Sequence, residues 1–201
     1  VLEHSPHVLF TGAGAESFAA AQGLEMVAAD FFSTPGRRKQ LERAQNQQKV
    51  VLDHDEARSG EPLDPDRKMG TVGAVALDSA GNLAAATSTG GMTNKQVGRV
   101  GDSPLPGAGC YASDTVAGSC TGTGEVFIRT LAAYDVAALM NYGGLSLHHA
   151  TRRVVMAKSP QLGCSGALIA LDRQGNVLLP FNSEGMYRGY GVVGEAPVAA
   201  S

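Results

Sequence analysis

Cysteine and aromatic residues are scarce in this sequence of 201 residues. It contains no tryptophan, and aromatic residues make up 5% of it. The three cysteines, Cys110, Cys120 and Cys164, are odd in number and have no CxxC spacing, which excludes a disulfide scaffold. Free thiols are typical of a reducing compartment, and no positively charged, apolar leader opens the sequence, so we expect a cytoplasmic protein.

Charge and long apolar runs are also limited. Charged residues make up 17% of the sequence, against about 25% in a typical globular protein. The net charge of −3 offers no basic surface of the kind that binds nucleic acid. No apolar run approaches the roughly 18 residues of a membrane span. With 43% hydrophobic residues, the composition predicts a folded domain whose partners include neither nucleic acid nor membrane.

The usual nucleophile and metal motifs are missing as well. There is no GxSxG elbow for a serine hydrolase, and none of the five histidines stands in a metal-ligand spacing, so we expect no metal site. The adjacent His148 and His149 are predicted to point to different faces of a helix and therefore not to share an ion. Cys164 lies among small residues and is interpreted as a buried structural thiol rather than a nucleophile.

Four helices are predicted from apolar spacing and end signals. The first covers residues 13–26, and the second follows Ser33-Thr34-Pro35, where a capping residue precedes proline. The third covers residues 125–141. The fourth begins at a Ser146 cap and stops near residue 158, before Pro160.

Strands flank this helical pair. Residues 71–77 and 82–89 are predicted to form a hairpin, and the phrase ALDxxGN at residues 76–82 returns at 170–176, which predicts a second hairpin. The strands are apolar on both faces, so we expect the sheet to be covered on both sides. Strands, then helices, then strands indicate an α+β layered domain.

An acidic segment with prolines divides the chain. Residues 51–70 contain several aspartates and little apolar content, which is typical of a linker. We therefore expect two parts, residues 1–70 and residues 71–201.

A threonine at the start of the first strand points to chemistry. Thr71 follows Gly70 directly after the linker, and Thr89 closes the paired strand. Threonine also favours strands for structural reasons alone. However, a threonine at the start of a chain carries its own base, because its α-amine has a pKa of about 7.7 and lies within reach of the hydroxyl. Cleavage of the Gly70–Thr71 bond would create such a terminus.

Two further segments carry groups for substrate recognition. In GRVGD at residues 98–102, Arg99 offers a planar fork for a carboxylate and Asp102 a counter-charge for an ammonium group, as an amino-acid substrate requires. An ordinary ion pair in a turn is the alternative. The CTGTGE segment at residues 120–125 leads into a helix, and its N–H groups fit either a phosphate or an oxyanion hole that includes a threonine hydroxyl.

Together these segments resemble the plant-type L-asparaginase and isoaspartyl peptidase family of N-terminal-nucleophile hydrolases. The resemblance covers residues 71–201, and residues 1–70 resemble the end of the family's α chain. It is carried, in the family's order, by the segments GTVGAVALD (70–78), ATSTGGM (86–92), GRVGDSPLPGAG (98–109) and CTGTGE (120–125).

The resemblance implies the catalytic groups of an amidohydrolase. Thr71 is the nucleophile, released by autocatalytic cleavage after Gly70, and Thr89 orients it. Thr121 and Gly122 form the oxyanion hole. Thr71 then attacks the side-chain amide of L-asparagine or an isoaspartyl peptide bond, and water hydrolyses the resulting β-aspartyl ester.

The resemblance also implies the groups that hold the substrate. Arg99 binds the α-carboxylate and Asp102 the α-ammonium group, with help from the carbonyl of Gly124. Thr121 and Gly122 contact the substrate at the reacting carbonyl. No cofactor is implied, since the family's sodium-binding loop lies N-terminal to the residues present here.

The family fold is a four-layer αββα sandwich, and its members are dimers of αβ units. Family members are longer at the N-terminus, and this chain begins at Val1 rather than methionine. We therefore expect a fragment whose sandwich is incomplete because N-terminal strands are missing, and which is unstable or inactive by itself.

Three other functions are compatible with the sequence. The first is a glycosylasparaginase-like amidase, which acts on a larger group at the same asparagine side chain. The second is a non-catalytic remnant that serves as a binding or assembly protein. The third is a nucleotide-binding protein, which depends only on the turn at residues 121–124.

Overall fold

The computed structural model describes residues 1, 3–47, 50, 70–183 and 185–200. They divide into two compact units, Val1–Glu42 and Arg43–Ser201. The linker predicted at residues 51–70 lies, apart from Gly70, outside the described residues.

The N-terminal unit is helical. It contains α1 (Gly12–Ala21), a 3-10 turn (Ala29–Phe32) and most of α2 (Pro35–Asn46). The prediction of a helix over residues 13–26 was too long, because Gly23 adopts a φ of +76°, a left-handed conformation that ends helices. The start of α2 is confirmed: the Thr34 hydroxyl accepts the N–H of Arg37 at 3.3 Å, as an N-cap does.

The first predicted hairpin is confirmed in the C-terminal unit. β1 (Val72–Leu77) pairs antiparallel with β2 (Leu83–Ser88). In the turn between them, Oδ1 of Asp78 accepts the N–H groups of Ala80 at 2.9 Å and Asn82 at 2.7 Å. An aspartate that bonds to its own backbone in this way fixes the turn.

The repeated phrase forms a second hairpin with the same turn. β5 (Gly166–Asp172) pairs with β6 (Val177–Leu178). Oδ1 of Asp172 accepts the N–H groups of Gln174 at 3.0 Å and Asn176 at 2.9 Å. The shared residues of the two phrases therefore build the same hydrogen-bonded structure twice.

The two hairpins belong to different sheets that pack face to face. β3 (Cys110–Ala112), β4 (Val116–Gly122), β5 and β6 form one antiparallel sheet in that order. β1 and β2 pack on β3, β4 and β5, and helices pack on β4 and β5. The layers therefore run hairpin, sheet, helices, which confirms the α+β class. β7 (Arg188–Tyr190) and β8 (Val198–Ala200) form a separate two-stranded sheet.

The helix predicted at residues 125–141 is two helices. α3 (Gly124–Thr130) and α4 (Ala132–Asn141) are separated by Leu131, which has a φ of +48°. At this break the N–H groups of Ala133 and Tyr134 bond to carbonyls of the loop before β3 instead of to their own helix.

The last helical segment starts as predicted and continues further. Ser146 caps α5 (Leu147–Arg152) by accepting the N–H of His149 at 3.4 Å. A π-helical turn (Arg153–Lys158) then leads into α6 (Ser159–Gln161), so the predicted end before Pro160 was wrong. Proline is tolerated there because it occupies the first turn of α6, where an N–H has no helical partner to lose. Among the described residues, no helix has the length and apolar character that crossing a membrane requires.

The apolar core lies between the four-stranded sheet and the helices. Its largest fully buried side chains are Phe127, Leu168, Val116, Val136 and Val155. β4 is buried from Val116 to Cys120, as expected for a strand covered on both faces. In the described part of the chain, the face of the β1–β2 hairpin that points away from the four-stranded sheet is exposed, and it includes Val72, which is 66% exposed.

Small residues allow the two sheets to approach. Gly73 of β1 lies over Ser119 of β4, and a Cβ atom at Gly73 would overlap the Ser119 hydroxyl and lie 2.8 Å from the Ser119 Cβ. The Ser119 hydroxyl in turn hydrogen-bonds to Thr87 Oγ1 of β2 at 2.6 Å.

We expect Gly73→Ala to lower the free energy of unfolding by about 1–3 kcal/mol, because the added methyl group overpacks the space between the sheets. Chemical denaturation measures this loss. The matched control is Gly185→Ala, where an added Cβ meets no atom within 4 Å; an equal loss there would contradict this account.

Candidate functional site

One cavity of about 270 Å³ in the C-terminal unit collects the ends of separate elements. The start of β1, the loop after β2 and the end of β4 all reach it. The predicted site residues that line it are Gly70, Thr71, Thr89, Arg99, Asp102, Thr121 and Gly122. Gly124 lies directly beside it, since a Cβ atom there would be 2.8 Å from Asp102 Oδ1 and 2.9 Å from Arg99 Nη2.

Two threonine hydroxyls face each other across the open end of the β1–β2 hairpin. Thr71 precedes β1 and Thr89 follows β2, so the antiparallel pairing brings them together. Thr71 Oγ1 donates to Thr89 Oγ1 at 3.1 Å, and Thr89 Oγ1 also accepts the N–H of Gly91 at 3.0 Å. The Thr89 oxygen is thereby fixed in position, and it orients the Thr71 hydroxyl.

The end of β4 forms a second side of the cavity. Thr121 and Gly122 are the last residues of this strand, and α3 begins two residues later. Gly122 has a φ of +148°, and a Cβ atom there would lie 2.6 Å from the Ser165 carbonyl oxygen and 2.8 Å from Gly166 Cα. Only glycine fits this close approach of β4 to β5. A backbone N–H and a threonine hydroxyl in such a turn are suitable donors for an oxyanion.

Arg99 is held by an acidic partner at the first turn of α3. Its Nε donates to Glu125 Oε1 at 2.8 Å and its Nη2 to Glu125 Oε2 at 3.0 Å. These hydrogen bonds lower the pKa of Glu125 and raise the pKa of Arg99. A bidentate pair fixes the plane of the guanidinium. Within the described part of the chain, Nη1 of Arg99 has no hydrogen-bond partner, so this edge remains available to a ligand.

Asp102 is a buried carboxylate with an unused acceptor. The residue is 6% exposed, and among the described residues its Oδ2 atom has no hydrogen-bond partner. Burial raises the pKa of Asp102, while the charge of nearby Arg99 partly opposes that shift. A buried polar atom without a partner is costly. Asp102 also lines the cavity, so its carboxylate offers a counter-charge for a ligand ammonium group, beside the guanidinium that suits a ligand carboxylate.

The structure adds two charged residues that the sequence analysis does not identify. Glu125 is the ion-pair partner of Arg99. The feature of the sequence that could have identified it is an acidic residue in the first turn of a helix. Lys95 also lines the cavity, and its Nζ donates to the Gly90 carbonyl at 2.6 Å. The feature of the sequence that could have identified Lys95 is its position as a second cationic residue four positions before Arg99.

Other candidate groups lie outside this cavity. The rings of His148 and His149, which are predicted to point to different faces of the helix, contact each other edge to face with centroids 5.2 Å apart. Within the described residues, no cluster of three potential metal ligands occurs. Cys164 is buried as predicted, and none of the three cysteines, all of which the structure describes, forms a disulfide bond. Burial raises the pKa of the Cys120 thiol well above its ordinary value, which disfavours a thiolate nucleophile there.

Comparison with known proteins gives extensive matches. An asparaginase family model matches residues 1–199. The chain is 67% identical to an isoaspartyl peptidase of Salmonella typhimurium and 66% identical to one of Escherichia coli, in each case over 98% of its own length. It is 52% identical, over 96% of its length, to a putative isoaspartyl peptidase/L-asparaginase of Dictyostelium discoideum.

The matches differ in how much of each relative they include. The chain spans 62%, 60% and 62% of these three relatives, or about three fifths of their length. The family model nevertheless covers nearly the whole chain. The resemblance drawn from the sequence segments is confirmed, and the chain belongs to the asparaginase family.

Proposed function

We propose that this protein is an amidohydrolase that cleaves isoaspartyl (β-aspartyl) peptides and L-asparagine, with Thr71 as an N-terminal nucleophile. The observation that carries the proposal is the oriented Thr71–Thr89 hydroxyl pair in the same cavity as Arg99 and Asp102. The names of the Salmonella and Escherichia relatives support the substrate class.

Substrate recognition follows from the charges that line the cavity. A β-aspartyl group carries one carboxylate and one ammonium group on the same carbon. The available edge of the Arg99 guanidinium suits the carboxylate, and the charge of the Asp102 carboxylate, which lines the same cavity, suits the ammonium. The Gly124 carbonyl is a second acceptor for the ammonium. Binding at these groups directs the β-carbonyl towards Thr71.

The first half of the reaction forms an ester. Cleavage of the Gly70–Thr71 bond frees the α-amine of Thr71, which takes the proton of its own hydroxyl as Oγ1 bonds to the β-carbonyl carbon. Thr121 and Gly122 stabilise the negative charge that develops on the carbonyl oxygen. The carbon–nitrogen bond then breaks, and the proton on the α-amine passes to the departing ammonia or amino acid.

The second half releases the product. Water loses a proton to the free α-amine of Thr71 and attacks the β-aspartyl ester, with Thr121 and Gly122 again stabilising the oxyanion. The ester bond breaks, Thr71 Oγ1 regains its proton, and aspartate leaves. Thr89 orients the hydroxyl in both halves, which is the role its hydrogen bond supports.

We also propose the larger context of this site. The observed order of hairpin, sheet and helices corresponds to three layers of an αββα sandwich. The residues that act on the substrate belong to residues 71–201, downstream of a cleavage site between residues 70 and 71. We propose a dimer of αβ units in the cytoplasm as the working form.

Thr71→Ala in the full-length protein should abolish both turnover of L-asparagine and cleavage of the chain, because no other hydroxyl takes its place as the nucleophile. Thr71→Ser should retain part of both. Denaturing electrophoresis with N-terminal sequencing and an ammonia-release assay measure the two effects. In the wild-type protein we expect a fragment that begins Thr-Val-Gly-Ala.

The control for this prediction is Ser88→Ala, which removes an exposed hydroxyl near the end of β2. It should leave cleavage and turnover near wild-type levels. Splitting of the Thr71→Ala chain after residue 70, or turnover by a wild-type chain that stays intact, would refute the assignment of Thr71.

Asp102 gives the proposed reaction a specific dependence on pH. Burial raises the pKa of Asp102, so as the pH falls the carboxylate takes up a proton at a higher pH than an ordinary aspartate does. The neutral form no longer attracts the substrate ammonium, so KM for L-asparagine should rise as the pH falls through this raised pKa. Steady-state kinetics between pH 4 and about 8 cover the relevant range.

The comparison variant is Asp102→Asn, which keeps the shape of the side chain and carries no charge at any pH. Its KM should be high throughout and should lack the acidic rise. A variant whose KM follows the same pH profile as the wild type would show that another group binds the ammonium.

A further inference from the structure

A second cation lies beside the guanidinium of Arg99 and has no part in the proposed mechanism. Lys95 lines the same cavity as Thr71. The position that a Cβ atom on Gly91 would take is 3.2 Å from Lys95 Nζ and 3.5 Å from Arg99 Nη1. Both cationic groups therefore border one small space, which the absence of a side chain at Gly91 leaves open.

The position of Lys95 is tied to that of the nucleophile. Its Nζ donates to the Gly90 carbonyl at 2.6 Å, and the next residue, Gly91, donates its N–H to Thr89 Oγ1, the atom that orients Thr71. A lysine ammonium has three N–H donors, so two remain for a ligand. Lys95 is also exposed, so this ammonium lies where the cavity meets solvent.

The charges of the proposed substrates differ by one carboxylate. L-Asparagine has one carboxylate and one ammonium, which match Arg99 and Asp102. A β-aspartyl dipeptide has a second carboxylate, on the amino acid that leaves. Of the charged residues that line the cavity, Lys95 is the one without an assigned substrate group.

We propose that Lys95 binds the carboxylate of the leaving amino acid and so favours isoaspartyl dipeptides over L-asparagine. This inference rests on the proposed function, and it names a specificity residue within it. The cationic end of Lys95 forms a hydrogen-bonded ion pair with the leaving group before the amide breaks, and the amino acid then departs towards solvent.

The test compares three substrates in the full-length protein: β-aspartyl-leucine, β-aspartyl-leucinamide, which lacks the second carboxylate, and L-asparagine. The wild type should prefer the dipeptide over its amide. In Lys95→Met, the ratio of kcat/KM for the dipeptide to kcat/KM for L-asparagine should fall about tenfold, mainly through KM. Lys95→Arg should keep most of the preference. The matched control is Lys39→Met, an exposed lysine in α2, which should leave the ratio unchanged.

The outcomes separate this inference from the proposed function. An equal loss on all three substrates in Lys95→Met would show that Lys95 only holds the loop at Gly90, and would overturn the inference alone. A wild type that treats the dipeptide and its amide alike would do the same without any variant. A wild type that turns over none of the three would overturn the proposed function and the inference together.

Discussion

The close packing of the two sheets positions Thr71 and Thr121, two residues that the proposed reaction uses. Gly73 and Ser119 meet at this interface, and the hydrogen bond of 2.6 Å between Ser119 and Thr87 joins the layers. Side chains alternate along a strand, so residues two positions away share the same inner face. Thr71, just before β1, therefore faces the four-stranded sheet, and Thr121 in β4 faces the β1–β2 hairpin. The proposed nucleophile and the proposed oxyanion donors line the same cavity because the layers carry small residues where they meet.

Local sequence patterns predict most of the elements, because their causes are local. The two ALDxxGN phrases specify turns through Asp78 and Asp172, and both hairpins form. Ser146 caps a helix for the same kind of reason. The misplaced end of α1 has a local cause, the left-handed Gly23, whereas the misplaced bounds of the later helices depend on other parts of the structure. The left-handed Leu131 stands where the N–H groups of Ala133 and Tyr134 bond to another loop, and Pro160 lies in the first turn of α6 after a π-helical turn. Apolar spacing carries no information about either.

The sequence predicts which residues belong to the site, but it does not predict which of their side chains form ion pairs and hydrogen bonds with one another. A threonine after glycine, an Arg99–Asp102 spacing and a glycine-rich turn all point to chemistry, and the fold brings these segments to one cavity. The partner of Arg99, however, is Glu125, 26 positions further along the chain. A sequence shows which charges are present, whereas pairing depends on which loops the packing brings together. The same limit applies to Lys95, whose position depends on the backbone at Gly90.

The interruption at Leu131 has a consequence for the buried carboxylate. The N–H groups exposed at that break bond to the carbonyls of Ala108 at 3.1 Å and Gly107 at 2.9 Å. The neighbouring Gly109 donates its own N–H to the carbonyl of Asp102 at 3.1 Å. A discontinuity in a helix thus anchors, through two successive backbone links, the loop that carries an acidic group deep in the protein. The left-handed conformation of Leu131 is thereby coupled, through the backbone of residues 107–109, to the position of Asp102, almost thirty residues upstream.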